Sequence, residues 1–420
     1  MLDIKFIREH PDLVREGIRK KGETDSIGEI LSLDERRRDL VQRGEALKNR
    51  RNVVSDEIGK LKKSGADASA ALSEMESVKS QVRSIDDELT GIEQSLTRLL
   101  LTVPNVPHPS VPEGKSPADN QEIASWGSKP AADFPFKPHW ELVQKLDIID
   151  FERGVKVTGA GFPIYKGAGA RLQRALINFF LDEAGQKGYR EIQPPLMVNT
   201  ASATGTGQLP DKEDLMYTVP KDEFFMVPTA EVPVTNIHRD EILTEEALPV
   251  KYCAYTPCFR REAGSYGKDV RGLNRLHQFD KVELVKFVHP ALSYNELEGL
   301  RNDAEDLLKK LGLHYHVLLM CTGDMGFTQA KKYDLEVWSA GQQKWLEVSS
   351  ISNFEAFQAR RMNIRFRPRG GKPEIVHTLN GSGLALPRVM AALIEQYQTP
   401  EGKVVVPKVL HRYTGFEIIG

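Results

Sequence analysis

The sequence predicts an α+β protein in which helices pack on an antiparallel sheet, preceded by an antiparallel coiled-coil arm. Three observations carry this. Two long runs near the N-terminus keep apolar residues at heptad spacing. A proline-rich stretch then ends the helical periodicity. Beyond it, strand-like runs follow one another with few helices between them, unlike the regular alternation that builds a parallel sheet.

In the arm, Leu33, Leu40, Leu47, Val54 and Leu61 recur every seventh residue, with Arg37, Gly44, Arg51 and Ile58 at the intervening seam positions. This first seam is narrow. The second run, Val78, Val82, Ile85, Leu89, Ile92, Leu96 and Leu99, steps by fours and threes without a break. The polar stretch KKSGADASA between them reads as a turn, so the two helices fold back on each other. At about 30 residues each they reach roughly 45 Å. Their charges are unequal. The first helix carries Arg36, Arg37, Arg38, Arg43, Lys48, Arg50, Arg51, Lys60, Lys62 and Lys63, and the second Glu74, Glu76, Asp86, Asp87, Glu88 and Glu93. Interhelical pairing on solvated faces explains this, and so does a basic rail for a phosphate backbone.

The expected organisation is an N-terminal domain over 1–103 with its arm over about 33–101, a proline-rich linker over 104–120, and a larger domain over 121–420. In the larger domain, helical periodicity appears in ARLQRALINFFLDEAGQKG and LSYNELEGLRNDAEDLLKKLG, with Gly188 and Gly312 as C-cap signals. Strand signals appear at YREIQPPLMV, EFFMVPTA, VKYCAYTPCFRRE, HQFDKVELVKFV, HYHVLLMC, YDLEVWSA and KWLEVSSISN.

Composition narrows the function. A formal net charge of -2 means that any nucleic-acid partner is held by a locally basic element. The three cysteines, Cys253, Cys258 and Cys321, have no CxxC spacing, which argues against a disulfide scaffold and a structural zinc site and for a reducing compartment. The charged N-terminus has no apolar h-region and no stretch approaches a membrane span, so the chain reads as soluble and cytoplasmic. P-loop, GxGxxG, GxSxG and HExxH motifs are missing from it. His314 and His316 alternate onto one strand face near Cys321, but no fourth ligand has suitable spacing for a metal.

Four clusters can carry chemistry. In FRREAGSYGKDVRGLNRLHQFDKVELV, a strand with Arg260 and Glu262, a loop with Gly264, Gly267 and Gly272, and a returning strand with Arg275, Phe279 and Glu283 form a hairpin. Its guanidinium groups, aromatic ring and carboxylates suit a nucleotide, although a solvated charged hairpin has the same pattern. Glu347 with Ser350 in EVSS makes a hard-oxygen ligand pair for Mg²⁺, against the commoner reading of surface polar residues. NGSG ahead of a helical run with Arg388 in its first turn reads as a turn that allows a ligand close to the backbone. Thr229 and Glu231 in VPTAEVPVTN pair a hydroxyl with a carboxylate that could take an ammonium group, against the ordinary reading of a strand-end turn.

Together the clusters resemble the seryl-tRNA synthetases, class II aminoacyl-tRNA synthetases, in the bacterial type with a long N-terminal arm. KGYREIQPP looks like the first class II motif, FRREAGSYGKDVRGLNRLHQF like the second and NGSGLALPRV like the third. TGQLP, the TAE of Thr229 to Glu231, EVSSISN and FQARRMNIRFR are similar to segments particular to the seryl members. The resemblance implies a class II catalytic domain over 121–420 and a homodimer. It implies activation of L-serine by ATP to seryl-adenylate and transfer to tRNA(Ser), and admits tRNA(Sec) as a second acceptor. ATP would lie against Arg260, Arg261, Glu262, Arg275, Leu276, Phe279, Glu347, Val348, Ser349, Ser350 and Arg388, with Mg²⁺ on Glu347 and Ser350. Among these, Arg260, Glu262 and Arg388 would be catalytic. Serine would lie against Thr229, Ala230, Glu231, Arg260, Glu283, Asn380 and Ser382. Pro387 stands where family members often have glycine before the third-motif arginine, and suits the first turn of a helix. Two other readings compete: an amino acid:carrier-protein ligase on the same core, which would lack the arm, and a non-catalytic tRNA-binding regulator, in which the ATP residues would be eroded.

Overall fold

A computed structural model of the chain describes residues 1–261 and 271–420. Glu262, Gly264 and Gly267 lie outside the described residues. The chain divides into two compact units, Met1–Pro104 and Asn105–Gly420.

The first unit is helical: α1 (Ile4–Glu9), α2 (Pro11–Lys21), α3 (Ile27–Ser64) and α4 (Ser69–Leu101). The 38 residues of α3 span about 57 Å at 1.5 Å per residue. This is longer than the heptads predict, because the helix starts at Ile27, where Ile27 and Ile30 are buried ahead of the first seam leucine. Gly65 closes α3 in the left-handed conformation, φ 71°. The two long helices are antiparallel neighbours, with Leu40 packed on Ile85 and Ile92, and Val54 on Ala71 and Met75. Gly44 is buried at the seam, where a Cβ would lie 3.4 Å from Ile85 Cγ2. A poor core residue by type, it lets the helices close there.

The charges are partly paired across the hairpin. Arg36 bonds Glu88 at 2.8 Å, Lys48 bonds Asp86 at 3.1 Å and Arg50 bonds Glu74 at 2.7 Å. Arg51, Lys60, Lys62 and Lys63 make no ion pair among the described residues, which leaves the half of α3 nearer the turn with a surplus of positive charge.

The second unit is built on an eight-stranded sheet: β1 (Gln121–Trp126), β2 (Arg190–Glu191), β3 (Val250–Phe259), β4 (Gln278–Val288), β5 (Tyr315–Leu319), β6 (Lys331–Ser339), β7 (Lys344–Asn353) and β8 (His377–Ala385). Their spatial order is β1-β5-β6-β7-β8-β4-β3-β2. Every pairing is antiparallel except β2 with β3. The main core lies between this sheet and the helices α5 (His139–Lys145), α6 (Ala168–Gln186), α8 (Ser293–Leu311) and α10 (Leu386–Gln396), while two short helices, α7 (Glu231–Thr235) and α9 (Phe357–Arg361), belong to the other side. Gly188 and Gly312 follow α6 and α8 in the left-handed region.

Two sequence expectations change. NGSG is not a turn before a helix but part of the inner strand β8. Its glycines are explained by packing: a Cβ on Gly381 would lie 2.9 Å from Ile351 Cγ1, and one on Gly383 3.0 Å from Leu284 Cγ. The proline-rich stretch after Pro104 holds no regular element before a turn at Pro117–Asp119, yet from Asn105 onward it is fixed along the second unit. The Asn105 side-chain amide donates to the carbonyls of Thr328 (3.0 Å) and Phe354 (2.9 Å), and the His108 N–H donates to Ala330 O (2.8 Å).

One buried charge organises the base of the arm. The Asp34 carboxylate is fully buried and accepts from Arg8 of α1 at 2.9 Å and from Arg37 and Arg38 of α3 at 3.1 Å each. Burial opposes its charge, but hydrogen bonds from Arg8 and Arg37 prevail and hold its carboxyl below the ordinary value. A depressed carboxyl stabilises the fold above its unfolded pKa, and this contribution is lost as pH falls through the folded one. We expect Asp34→Asn to cost about 1–3 kcal/mol, less than a fully buried pair because the guanidinium groups reach solvent. Thermal unfolding should show that the deficit of the variant disappears below the ordinary carboxylate range.

Candidate active site

The sheet leaves an open cavity of about 440 Å³ on one face, lined from β4, β6, β7, β8, the starts of α7 and α10, Arg260 just past β3, and the segment Leu273–Leu276. Period two on β4 turns Phe279, Lys281 and Glu283 to this cavity, while Val282 and Leu284 join the core. Arg260 follows the end of β3, and its Nε donates to Pro228 O at 3.2 Å. Its guanidinium lies 5.3 Å from the Phe279 ring centroid.

Alternation alone would set Glu347 and Ser350 on opposite faces of β7. A bulge prevents this: Glu336 pairs with Glu347 and Leu335 with Ser349, so Val348 is the extra residue and the alternation is reset. Both side chains thereby line the cavity. Arg388, in the first turn of α10 behind Pro387, donates from Nη1 to Glu347 O at 2.8 Å and from Nε to Asn274 O at 2.9 Å. Burial would raise the Glu347 carboxyl, but the charges of Arg388, Lys332 and Arg260 outweigh it and hold the group below its ordinary value. Behind it, burial pushes Asp334 up against the opposing charge of Lys332, 3.1 Å away, and Asp334 Oδ1 is buried without a hydrogen-bond partner. An all-oxygen set, with one buried carboxylate oxygen unsatisfied beside it, fits a hard divalent cation.

A second group gathers below α7. The Thr229 hydroxyl donates to Glu283 Oε2 at 3.2 Å and accepts from Lys281 Nζ at 2.7 Å and from the Glu231 N–H at 3.2 Å, which exhausts its capacity. Glu231 accepts from Gln358 Nε2 of α9 at 2.7 Å. Burial and the neighbouring Glu283 charge push its carboxyl up. Ser382 pairs in register with Glu283, and Asn380 Nδ2 is buried with no partner, so the cavity offers one unsatisfied donor there.

Most of the residues expected from sequence therefore meet in this cavity. Arg275 and Leu276 line it, but from the segment ahead of β4 and not from the strand itself, which starts at Gln278. Ser349 donates to Ser382 O at 2.6 Å, and Val348 lies in the core beneath. Arg261 is exposed and Ala230 is packed in the core beside Val234 and Tyr252, so neither side chain lines the cavity. His316 sits between Glu122 (2.9 Å) and Glu336 (2.8 Å).

Other residues were missed. Lys281 was legible, being two positions from both Phe279 and Glu283. His139 and Glu395 had no local signal. The fully buried Glu395 carboxylate accepts from the His139 N–H (2.9 Å), His139 Nδ1 (2.7 Å), the Gly341 N–H (3.0 Å), Gln342 Nε2 (3.2 Å) and the Ser339 hydroxyl. His139 Nε2 in turn accepts the Leu273 N–H at 2.8 Å, which places the ring proton on Nδ1. Gly272, φ 67°, permits this approach, since a Cβ would fall 2.3 Å from Nε2. The pair thus anchors the segment that carries Asn274 and Arg275.

Known proteins match along the whole chain. Residues 1–107 match the model of the seryl-tRNA synthetase N-terminal domain, and residues 217–397 the tRNA synthetase class II core domain for G, H, P, S and T. The serine–tRNA ligase of Salinibacter ruber is 56% identical over 100% of this chain and 99% of its own length, and that of Geobacter sulfurreducens 55% over 99% of each. The crystal structure of the Pyrococcus horikoshii seryl-tRNA synthetase complexed with ATP superposes with a TM-score of 0.95 at 38% identity, over 100% of this chain and 99% of that one. The cytoplasmic serine–tRNA ligase of Naegleria fowleri in complex with AMP gives 0.87 at 28%, over 100% and 98%.

Removal of Glu395 should be costly. Glu395→Gln sets an amide donor against buried donors, and we expect a loss of about 3–5 kcal/mol, read as a lowered thermal midpoint.

Proposed function

The chain belongs to the seryl-tRNA synthetase family, and from that premise we propose how its cavity divides the work of a serine–tRNA ligase. ATP, serine and tRNA are its substrates. Neither a carrier-protein ligase nor a non-catalytic regulator has support, since the full-length relatives are serine–tRNA ligases.

The observation that carries the assignment is the pairing of two groups through one arginine. Arg388 and Glu347 form one group, Thr229, Glu231, Lys281 and Glu283 the other. Arg260 is anchored beside Thr229 through Pro228 O and is near enough to Glu347 to lower its carboxyl. ATP belongs in the first group and serine in the second. A serine carboxylate oxygen attacks the α-phosphorus, the bond to the bridging oxygen breaks and pyrophosphate leaves. Arg260 meets the charge that builds on the α-phosphate and the substrate carboxylate. Phe279 stacks on adenine, Arg388 grips the γ-phosphate, and Glu262, outside the described residues, takes the adenine amino edge on sequence grounds. Arg275, Leu276 and the strand from Glu347 to Ser350 wall the nucleotide. Mg²⁺, where bound, would be held by Glu347 and Ser350 and would supply positive charge to the phosphates. In the second step the terminal ribose hydroxyl of tRNA attacks the adenylate carbonyl and AMP leaves. No protein nucleophile is needed, because positioning and charge neutralisation carry the chemistry.

For serine, Glu231 takes the ammonium, and Glu283 with Ser382 reads the hydroxyl, with Asn380 as a further donor. An alanine would leave one oxygen of the buried Glu283 carboxylate without a donor, and rejection on that basis reaches about 10⁴. The unpaired cations toward the turn of the arm support tRNA backbone binding there. The resemblance supports a cytoplasmic homodimer that serves tRNA(Ser), with tRNA(Sec) as a second acceptor.

ATP–pyrophosphate exchange should respond to serine alone among the twenty amino acids; exchange with none would defeat the reading. Deletion of about residues 36–98 should leave that exchange largely intact and abolish tRNA charging, and loss of both would make the arm structural. Because Glu231 must be ionised to hold an ammonium and its pKa is raised, the KM for serine should fall as pH rises from the ordinary carboxylate range toward neutrality. Glu231→Gln should weaken serine binding and remove that dependence.

A further inference from the structure

Two carboxylates, Glu231 and Glu283, face the amino-acid end of the cavity, and either could attract a ligand ammonium. Only one is already paired with a cation. Lys281 and Glu283 form an ion pair with side chains 7% and 3% exposed, and Lys281 Nζ also donates to Thr229 Oγ1 at 2.7 Å. Both internal bonds to Glu283, from Lys281 and from Thr229, fall on Oε2. Glu283 Oε1 has no protein partner among the described residues, so one acceptor oxygen is left for a ligand donor.

We propose that Lys281 is a positioning residue that sets which way round the amino acid binds. It neutralises Glu283 so that the ammonium goes to Glu231, and it fixes the Glu283 carboxylate with Oε1 turned to the side-chain hydroxyl. Glu283 is thereby an acceptor for a neutral hydroxyl and not a competing ammonium site, and selection of serine over alanine depends on Lys281 as well as on Glu283. A buried carboxylate without its cation takes up a proton or turns toward another donor, and either change ends its demand for a hydroxyl.

This rests on the serine–tRNA ligase reading, and the test separates the two. ATP–pyrophosphate exchange is measured with serine and with alanine for the full-length protein, Lys281→Met, Glu283→Gln and the double variant. We expect Lys281→Met to lower the serine-to-alanine ratio of kcat/KM by roughly tenfold or more, with the KM for ATP changed by no more than about twofold. The double variant should match Glu283→Gln alone, since Lys281 acts through that carboxylate. An unaltered parent without serine-dependent exchange would defeat the ligase reading itself. An active parent with an unchanged ratio in Lys281→Met, with the KM values for serine and ATP rising together, would overturn the positioning role, as would a double variant that loses selectivity beyond Glu283→Gln. If Lys281→Met does not fold, the double variant removes both charges at once and its comparison with Glu283→Gln decides the matter.

Discussion

The register between Val250–Phe259 and Gln278–Val288 is the constraint on which the cavity depends. Ten consecutive residue pairs run from Phe259 opposite Gln278 to Val250 opposite Phe287. A slip of one residue would drive Phe279, Lys281 and Glu283 into the core and turn Val282 and Leu284 outward. The sequence excludes that slip, because Val282, Leu284 and Val288 find partners in the apolar core beneath the sheet. Burial of aliphatic side chains on one face therefore aims the charged ones on the other, and the energy that holds the site together is largely spent away from it.

What could be read from the sequence was whatever has a short period. Heptads marked the arm, period two marked most strands, and Gly188 and Gly312 marked helix ends. What could not be read were departures from period and partnerships across long separations. The bulge at Val348 brings Glu347 and Ser350 together, although simple alternation separates them. NGSG has the composition of a turn, and it is a strand because its neighbours Ile351 and Leu284 leave no room for side chains. Nothing near Asp34 in the sequence signals its burial, because one of its partners, Arg8, lies 26 residues earlier. His139 and Glu395 are 256 positions apart, and neither residue type in isolation suggests the other. In the cavity, residue types were most distinctive at the end that holds Arg260, Phe279, Glu347 and Arg388. The end around Thr229 was harder, because the state of that hydroxyl depends on three partners and not on its own identity.

Charge is handled in two different ways along the chain. In the arm, Arg36, Lys48 and Arg50 have carboxylate partners on the facing helix, and the cations nearer the turn do not. Solvated cations cost little to keep and give long reach, which suits a polyanion. In the cavity three carboxylates each have a distinct partner: Arg388 for Glu347, Lys281 for Glu283, Gln358 for Glu231. Of these three, Glu231 is the one whose partner is neutral, and burial raises its pKa.

All three sulfhydryls are buried: Cys253 and Cys258 on β3, and Cys321 just past β5, where its Sγ donates to Ser116 O. Burial pushes the Cys253 thiol up to about 12 and raises that of Cys258 as well, so neither forms thiolate at neutral pH. The native fold thus presents no accessible thiol to alkylating reagents. A cysteine placed at an exposed position of the arm would be the sole site for a maleimide fluorophore, and the chain is ready for single-dye labelling without removal of any natural thiol.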